Sequence, residues 1–347
     1  MASSTPPHRS TSGLGIDPAR RRAARRILRL LKPGARVVLT THVNTDGDGA
    51  GSGVAMWRLL DRLGVDALIT NPTPFPHRFD FLLDGIRRAD HSRHAVRAIE
   101  RADAILVLDI ADLGRLGHLG QVVERCAVPV ACIDHHMSNG NLPPGPRLVD
   151  SAACATGELV YDLARVAGWT LDAATAQALY VAILTDTGGF RFANTTPRTL
   201  RIAGDLLARG VDAERVYREV YASESEGKIR LIAEVLQTLV VEQDLGLAWM
   251  TIPEGALERL GVEADELEGM VEFARSIRGV RLALLFRYLA SGRIKVSFRS
   301  VGDIDVARLA EQFDGGGHRR AAGASLDGPM DAARVRVLAA ARSVAAL

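Results

Sequence analysis

Four short stretches of the chain end in groups able to hold a metal ion or move a proton. "THVNTDGDGAGSG" carries His42, Asp46 and Asp48; "AILVLD" ends in Asp109; "CIDHH" ends in Asp134, His135 and His136; and "ILTDTGGF" holds Asp186. Taken singly, each has an everyday reading, because Asp-Gly pairs are turn residues and an acid after a helical run is simply a helix end. Their recurrence after successive apolar runs is harder to assign to turns. Asp46, Asp48, Asp109 and Asp186 together, if ionised, would force some of their number to protonate unless cations joined them, and two divalent ions would balance them. The helix dipole also disfavours an acid such as Asp186 at a helix C-terminus. Mixed imidazole and carboxylate donors favour Mn²⁺ or another transition metal over an all-oxygen Mg²⁺ site. Two such ions clamp a phosphate and activate water for in-line attack.

The elements that must position these groups are legible in the hydrophobic pattern. From about residue 16 to 170, short apolar runs ("RVVLT", "DALIT", "AILVLDI", "PVACID") alternate with helical segments, including one over Gly51 to Leu63 and "GELVYDLARVAG". That alternation predicts an α/β fold, a parallel sheet with flanking helices, whose ligands gather at the carboxyl ends of the strands. A mostly helical stretch follows from Asp172 to about Val241, and polar, small residues near Ser223 to Glu226 mark a link. Beyond it, "LGLAWMTI", "RLALLFRYL" and "RIKVSF" read as strands, "DVARLAEQF" as a helix and "DGGGHRRAAG" as a glycine-rich turn, giving a smaller C-terminal α/β module. The expected boundaries are a disordered arm at 1–15, a catalytic domain at 16–222, a linker helix at 223–240 and a second domain at 241–347.

Composition agrees with two globular domains: 347 residues, 47% of them hydrophobic, can bury substantial cores. Three cysteines, Cys126, Cys132 and Cys154, are too few for a disulfide framework, which points to a reducing, cytoplasmic setting. No apolar run approaches the length of a membrane span. Charge is uneven: residues 1–45 hold nine Lys/Arg and one acid, leaving 34 Lys/Arg and 40 Asp/Glu in the rest. A transit peptide and a nucleic-acid-binding arm are both readings of that basic start. The preferred one is a structural helix with a solvated basic face, since Ala24, Ile27, Leu30 and Leu31 fall near helical spacing and Pro33-Gly34 stops it.

"HVNTDGDGAGS", "LVLDIADLGRLG", "IDHH" and "TDTGGFRF" resemble, in order, the motifs of the DHH phosphoesterases, and "GGGHRRAAG" resembles the hallmark of the DHH-associated C-terminal domain. The resemblance covers roughly residues 25 to 345, within the bacterial oligoribonuclease and 3′-phosphoadenosine-5′-phosphate (pAp) phosphatase branch. One departure is Thr45, where the family usually has proline, a position that ligates nothing. The resemblance implies that His42 and Asp46 hold one metal, that Asp48, His135 and Asp186 hold the other, and that Asp109 bridges both. It further implies that His136 faces the phosphate and that Asp134 orients the histidines.

Outside those motifs, Gly315, Gly316 and Gly317 can turn their backbone N–H groups toward an anion as a concave nest; a tight turn is the alternative. With the resemblance, they join His318, Arg319, Arg320 and Arg299 as a cap for the terminal phosphate or base of a short nucleotide, a task to which the arginine fork is suited. Arg115 is either a phosphate contact or a surface ion pair. Thr156, in "ATGELVYDL", is either a helix cap or an anion-facing group, and Trp57 reads as core. The implied substrates are short oligoribonucleotides, linear dinucleotides and pAp, extending in some relatives to cyclic di-AMP, with no membrane partner; a homodimer is compatible with the sequence but not argued by it. Two rivals remain: a pyrophosphatase, which would carry a Ser-Arg-Lys signature not found here, and a nucleotide sensor without turnover.

Overall fold

The computed structural model describes residues 14–86, 88, 93–110, 112–137, 141–264, 266–267, 269–289 and 291–346, so most of the expected arm at 1–15 lies outside the described residues. The chain divides into two units, Met1–Ser223 and Glu224–Leu347.

In the first unit, α1 (Pro18–Leu28) opens on an Asp17 cap with proline in its first turn, an arrangement that suits a missing N–H. Its Ala24 and Ile27 are buried as the spacing predicts. The strands β1 (Arg36–Thr40), β2 (Asp66–Ile69), β3 (Ala104–Leu108), β4 (Val130–Asp134) and β5 (Arg147–Val149) form one sheet in the order β2-β1-β3-β4-β5, parallel throughout. β3 and β4 are buried along their whole length, as a parallel sheet covered on both faces requires. Val37 and Leu39 face a core shared with α1, α2 (Gly47–Asp61), α5 (Thr156–Ala167) and α6 (Ala173–Asp186). Val38, Ile105 and Val107 face the opposite core, under α3 (Arg93–Arg101) and α4 (His118–Arg125). Two further helices, α7 (Pro197–Leu207) and α8 (Ala213–Tyr221), complete the unit. The three-residue β5 has too short an apolar run to stand out in the sequence.

α2 starts at Gly47, four residues before the expected Gly51. The Asp46 carboxylate caps it, with Oδ1 accepting from the N–H groups of Asp48 and Gly49, so glycines read as a loop belong to the helix. Their smallness has a packing role: a Cβ on Gly51 would lie 2.4 Å from the Ala178 carbonyl oxygen of α6.

The second unit contains α9 (Glu226–Gln237), β6 (Val240–Glu242), β7 (Leu247–Thr251), α10 (Ala256–Leu260), α11 (Glu272–Arg275), β8 (Leu282–Tyr288), β9 (Ile294–Ser300), α12 (Val306–Glu311), β10 (Gly316–His318), β11 (Ala321–Leu326) and α13 (Met330–Ala345). Its sheet runs β10-β11-β9-β8-β7-β6, antiparallel except between β7 and β8. One face is covered by α12 and α13, the latter not expected from the sequence. α9, read as a linker helix, buries Leu231 and Val235 with Ala248, Met250 and Leu285; it is a wall of the second unit.

Candidate metal centre

The strands whose ends carry the acids and imidazoles, β1, β3 and β4, are neighbours in the sheet, so His42, Asp109 and the pair His135 and His136 emerge side by side at its carboxyl edge. Asp46 and Asp48 arrive on the first turn of α2, and Asp186 on the last residue of α6. Asp109 leaves β3 with φ +59°, a left-handed conformation that costs about 1–3 kcal/mol. That twist is tolerated better by aspartate than by most residues, and it accompanies a carboxylate whose two oxygens look in different directions.

Oδ2 of Asp109 lies 3.4 Å from His42 Nε2, which in turn lies 3.7 Å from Asp46 Oδ2. On the other side, His135 Nε2 lies 3.7 Å from Asp109 Oδ1, 3.7 Å from Asp48 Oδ2 and 3.6 Å from Asp186 Oδ2. Such separations are too long for hydrogen bonds. They match donor atoms sharing a cation with ligand distances of roughly 2.0–2.2 Å. Donor atoms of His42, Asp46 and Asp109 converge within 4.8 Å of one another, as do those of Asp48, His135 and Asp186, and those of Asp109, His135 and His136. Among the described residues, the buried atoms His42 Nε2, Asp109 Oδ2 and His135 Nε2 have no hydrogen-bond partner, an expensive omission in a protein interior. His42 Nδ1 donates to the Val43 carbonyl at 2.8 Å, which fixes the tautomer that leaves Nε2 with a free lone pair.

Electrostatics tell the same story. Burial lowers the His42 pKa, but the facing carboxylates of Asp109 and Asp46 outweigh it and raise it to about 10. Asp48 is pushed well above the carboxylate range by burial and by the charges of Asp109, Asp186 and Asp46. Burial, with the charges of Asp109 and Asp46, also pushes Asp186 up to about 6 despite His135. Asp109 is held low despite its burial, by His42 and by the charges of His136 and His135. The crowded carboxylates thus lack positive charge at this point of the fold, and divalent cations would supply it.

Around these donors stands a second layer that the motifs only partly announce. The helix α5 points its start at Asp48: Thr156 N–H donates to Oδ2 at 2.6 Å and Gly157 N–H to Oδ1 at 2.9 Å, joined by the Ser52 hydroxyl at 3.0 Å. Thr156 Oγ1 donates to Asp109 Oδ1 at 3.1 Å. Since Ala155 is the cap, Thr156 is the anion-facing group, its anion being a carboxylate of the site itself. Asn194, which no motif logic singled out, donates through Nδ2 to Asp186 Oδ2 at 3.2 Å and to the carbonyls of Cys154 and Asp186. Thr45 donates to the His42 carbonyl at 3.2 Å, tying the turn where the family usually has proline.

Asp134 bonds only one of the two histidines it was expected to orient. Its Oδ1 accepts from His136 N–H and His136 Nδ1, the latter at 2.8 Å, while Oδ2 makes no hydrogen bond among the described residues. Burial opposes charge on His136, but Asp134 and Asp109 raise its pKa; with Nδ1 engaged, Nε2 remains to serve a phosphate. Arg115, on a 3-10 turn at Leu113–Leu116, has no ion pair among the described residues, and its charge is felt by His136.

Residues 36–183 match the DHH family, N-terminal domain, and residues 249–345 the DHHA1 domain. The bifunctional oligoribonuclease and PAP phosphatase NrnA of Thermus thermophilus is 35% identical over 313 residues, 88% of this chain and 89% of that protein. The chain belongs to the DHH family. The NrnA protein of Bacillus subtilis is 28% identical over 296 residues, covering 84% of this chain and 89% of its own. The crystal structure of an exopolyphosphatase-related protein from Bacteroides fragilis superimposes with a TM-score of 0.85 at 28% identity, over 93% of this chain and 96% of that one.

Within the DHHA1 domain the glycine triplet departs from the expected nest. Gly315 N–H donates to the Ala310 carbonyl, and Gly316–His318 run as the edge strand β10 against β11. Close backbone approach explains the glycines: a Cβ at Gly315 would lie 2.3 Å from the Gly323 oxygen, and one at Gly317 2.6 Å from that of Ala321. Arg319 and Arg320 are exposed beyond this strand, with Arg319 3.5 Å from Asp303. Arg299 on β9 faces Glu272 at 3.2 Å. The His318 side chain lies outside the described residues. Among the described residues, no helix is long and apolar enough to cross a membrane.

Proposed function

We propose that this DHH protein is a two-metal phosphoesterase that cleaves short oligoribonucleotides and linear dinucleotides to mononucleotides and removes the 3′-phosphate of pAp. One observation carries the reading: the two oxygens of buried Asp109 face separate donor clusters, His42 with Asp46 on one side and His135 with Asp48 and Asp186 on the other. The orphaned Nε2 atoms and the mixed donor set fit two divalent ions, Mn²⁺ by preference, which His42, Asp46, Asp48, Asp109, His135 and Asp186 would hold. When bound, such ions supply Lewis-acid activation of water and neutralise phosphate charge.

The chain's own residues supply the rest. Asp134 holds His136 through Nδ1, so its imidazolium keeps Nε2–H for a phosphate oxygen, as hydrogen-bond donor and as proton source for the leaving oxygen. Arg115, which has no carboxylate partner among the described residues, adds a fixed positive charge felt by His136. Thr156 and Gly157 hold Asp48, and Asn194 holds Asp186, so the donors are set before substrate arrives. The names of the NrnA relatives support the choice of short RNA and pAp as substrates. A sensor without turnover would not need an intact donor set.

The deciding assay is Mn²⁺-dependent release of mononucleotide from a 5′-phosphorylated diribonucleotide, with pAp, cyclic di-AMP and pyrophosphate in parallel. Cleavage of the dinucleotide and pAp is expected. Turnover of pyrophosphate alone makes the protein a pyrophosphatase, and binding with no turnover makes it a sensor.

A further inference from the structure

Five arginines, Arg21, Arg22, Arg25, Arg26 and Arg29, fall within α1 and its C-cap with no acid among them. All five are exposed. At 3.6 residues per turn they share one arc of roughly 140°, with Arg21, Arg25 and Arg29 in one row and Arg22 and Arg26 in another. The opposite side, with Ala24 and Ile27, is buried in the core. None of the five arginine side chains makes an ion pair or hydrogen bond among the described residues. Other exposed arginines have a carboxylate close by: Arg36 lies 2.8 Å from Asp103, Arg259 2.7 Å from Glu234 and Arg342 2.6 Å from Glu242. Like charges four residues apart destabilise a helix, and the positive end of the helix dipole disfavours Arg21 and Arg22 near the first turn. No acid in that turn offsets either cost.

Position and chemistry narrow what this face can meet. Arg20, just before the rows, bonds Asp150 at 2.6 Å, and the Asp150 N–H donates to the carbonyl of Asp134, the last residue of β4. α1 therefore starts at the carboxyl edge of the sheet, where the metal donors emerge, and the chain next enters β1 from the amino edge at Arg36. The apolar side of α1 is used in the core, so the helix has none free to sink into a bilayer. Its exposed side has no large apolar residue, and protein interfaces are centred on such anchors. Single-stranded RNA is held by stacking on aromatic rings, and the chain has no Phe, Tyr or Trp before Trp57. What remains is a ligand met through its phosphates alone, for which arginine forks are the matching donors. Two parallel rows about 12 Å long suit the paired backbones of a double helix. A dinucleotide has too few phosphates to occupy both.

We propose that the exposed face of α1 is a docking surface for double-helical RNA, held through its backbone phosphates without regard to sequence. The choice of RNA over DNA rests on the phosphoesterase reading, since such a surface keeps the protein where short RNA fragments arise. Anisotropy of a fluorescein-labelled RNA duplex of about 16 base pairs, titrated with the full chain in EDTA, reads docking apart from turnover. The R21Q/R25Q/R29Q variant is expected to bind at least about tenfold more weakly at roughly 100 mM salt, with a log–log salt slope smaller by about 2.7, or 0.9 per lost phosphate contact. Its Tm should stay within about 2 °C of the wild type, glutamine being close to arginine as a helix former, and its hydrolysis of the dinucleotide with Mn²⁺ should be unchanged. R97Q/R101Q/R125Q removes the same charge from exposed positions on α3 and α4 and should bind the duplex like the wild type. Duplex binding that is absent in the wild type, equal in R21Q/R25Q/R29Q, or lost as much in R97Q/R101Q/R125Q would overturn the surface. A DNA duplex bound more tightly than the RNA would overturn the choice of RNA. Hydrolysis is scored separately: its absence in the wild type defeats the phosphoesterase reading, while hydrolysis without duplex docking defeats only this surface.

Discussion

At the scale of single residues, Asp109 and Asn194 make different kinds of claim. Asp109 faces both donor clusters, so Asp109→Asn removes charge from both at once; kcat/KM for the dinucleotide should fall by on the order of 10³ or more, the scale of losing preorganised charge stabilisation. Calorimetric titration should show Mn²⁺ stoichiometry falling with it. Near-normal turnover in this variant would end the two-metal assignment. Among the described residues the Asn194 amide donates to Asp186 and to the Cys154 and Asp186 carbonyls, so Asn194→Ala should weaken metal binding about 10- to 100-fold while activity recovers at saturating Mn²⁺. A kcat that stays depressed at saturation would instead mean that Asn194 meets the substrate. Thr156→Val tests the neighbouring bond, since it keeps the N–H to Asp48 and deletes the hydroxyl to Asp109.

At the scale of elements, the donors were readable because each follows an apolar strand or helix with a regular period. Their support was less readable because it depends on where helices meet. Asn194 carries no periodicity; its role exists only because the chain after α6 folds back over Asp186. Likewise the extended start of α2 and the β10 strand are set by backbone approach at Gly51, Gly315 and Gly317, and a glycine string looks the same in sequence whether it makes a nest, a helix or an edge strand. Arg20 is another case: it belongs by composition to a basic face, yet it is buried and bonds Asp150 at 2.6 Å, Glu158 at 2.6 Å and Asp162 at 2.9 Å. Arg198 reaches the same Glu158 and Asp162. Arg20→Met should cost about 3–5 kcal/mol in urea unfolding, because it strands buried carboxylates; a change under about 1 kcal/mol would show that Arg198 suffices. Gly51→Ala, which drives a carbon toward the Ala178 carbonyl, is expected to cost about 1–3 kcal/mol and to weaken Mn²⁺ binding by shifting Asp48 against Asp186.

For the whole molecule, the metal donors all belong to the first unit, and the buried clusters that support them are those of its two cores. A ligand that binds only the folded state stabilises it by mass action, about 2.7 kcal/mol at a free concentration one hundred times its Kd. Here that gain should be concentrated in the unit whose clustered carboxylates repel one another without cations. Hydrogen exchange with and without Mn²⁺ reads this directly: amides of α2, α5 and the β3 and β4 strands should slow markedly, while those of β8 and β9 should change little. Protection rising equally in both units would mean that they unfold as one cooperative body, and the metal's stabilisation would then belong to the entire chain. Protection confined to the first unit would instead let the DHHA1 sheet open and close on its own free energy, so that its opening and the metal loading at Asp109 titrate as separate events.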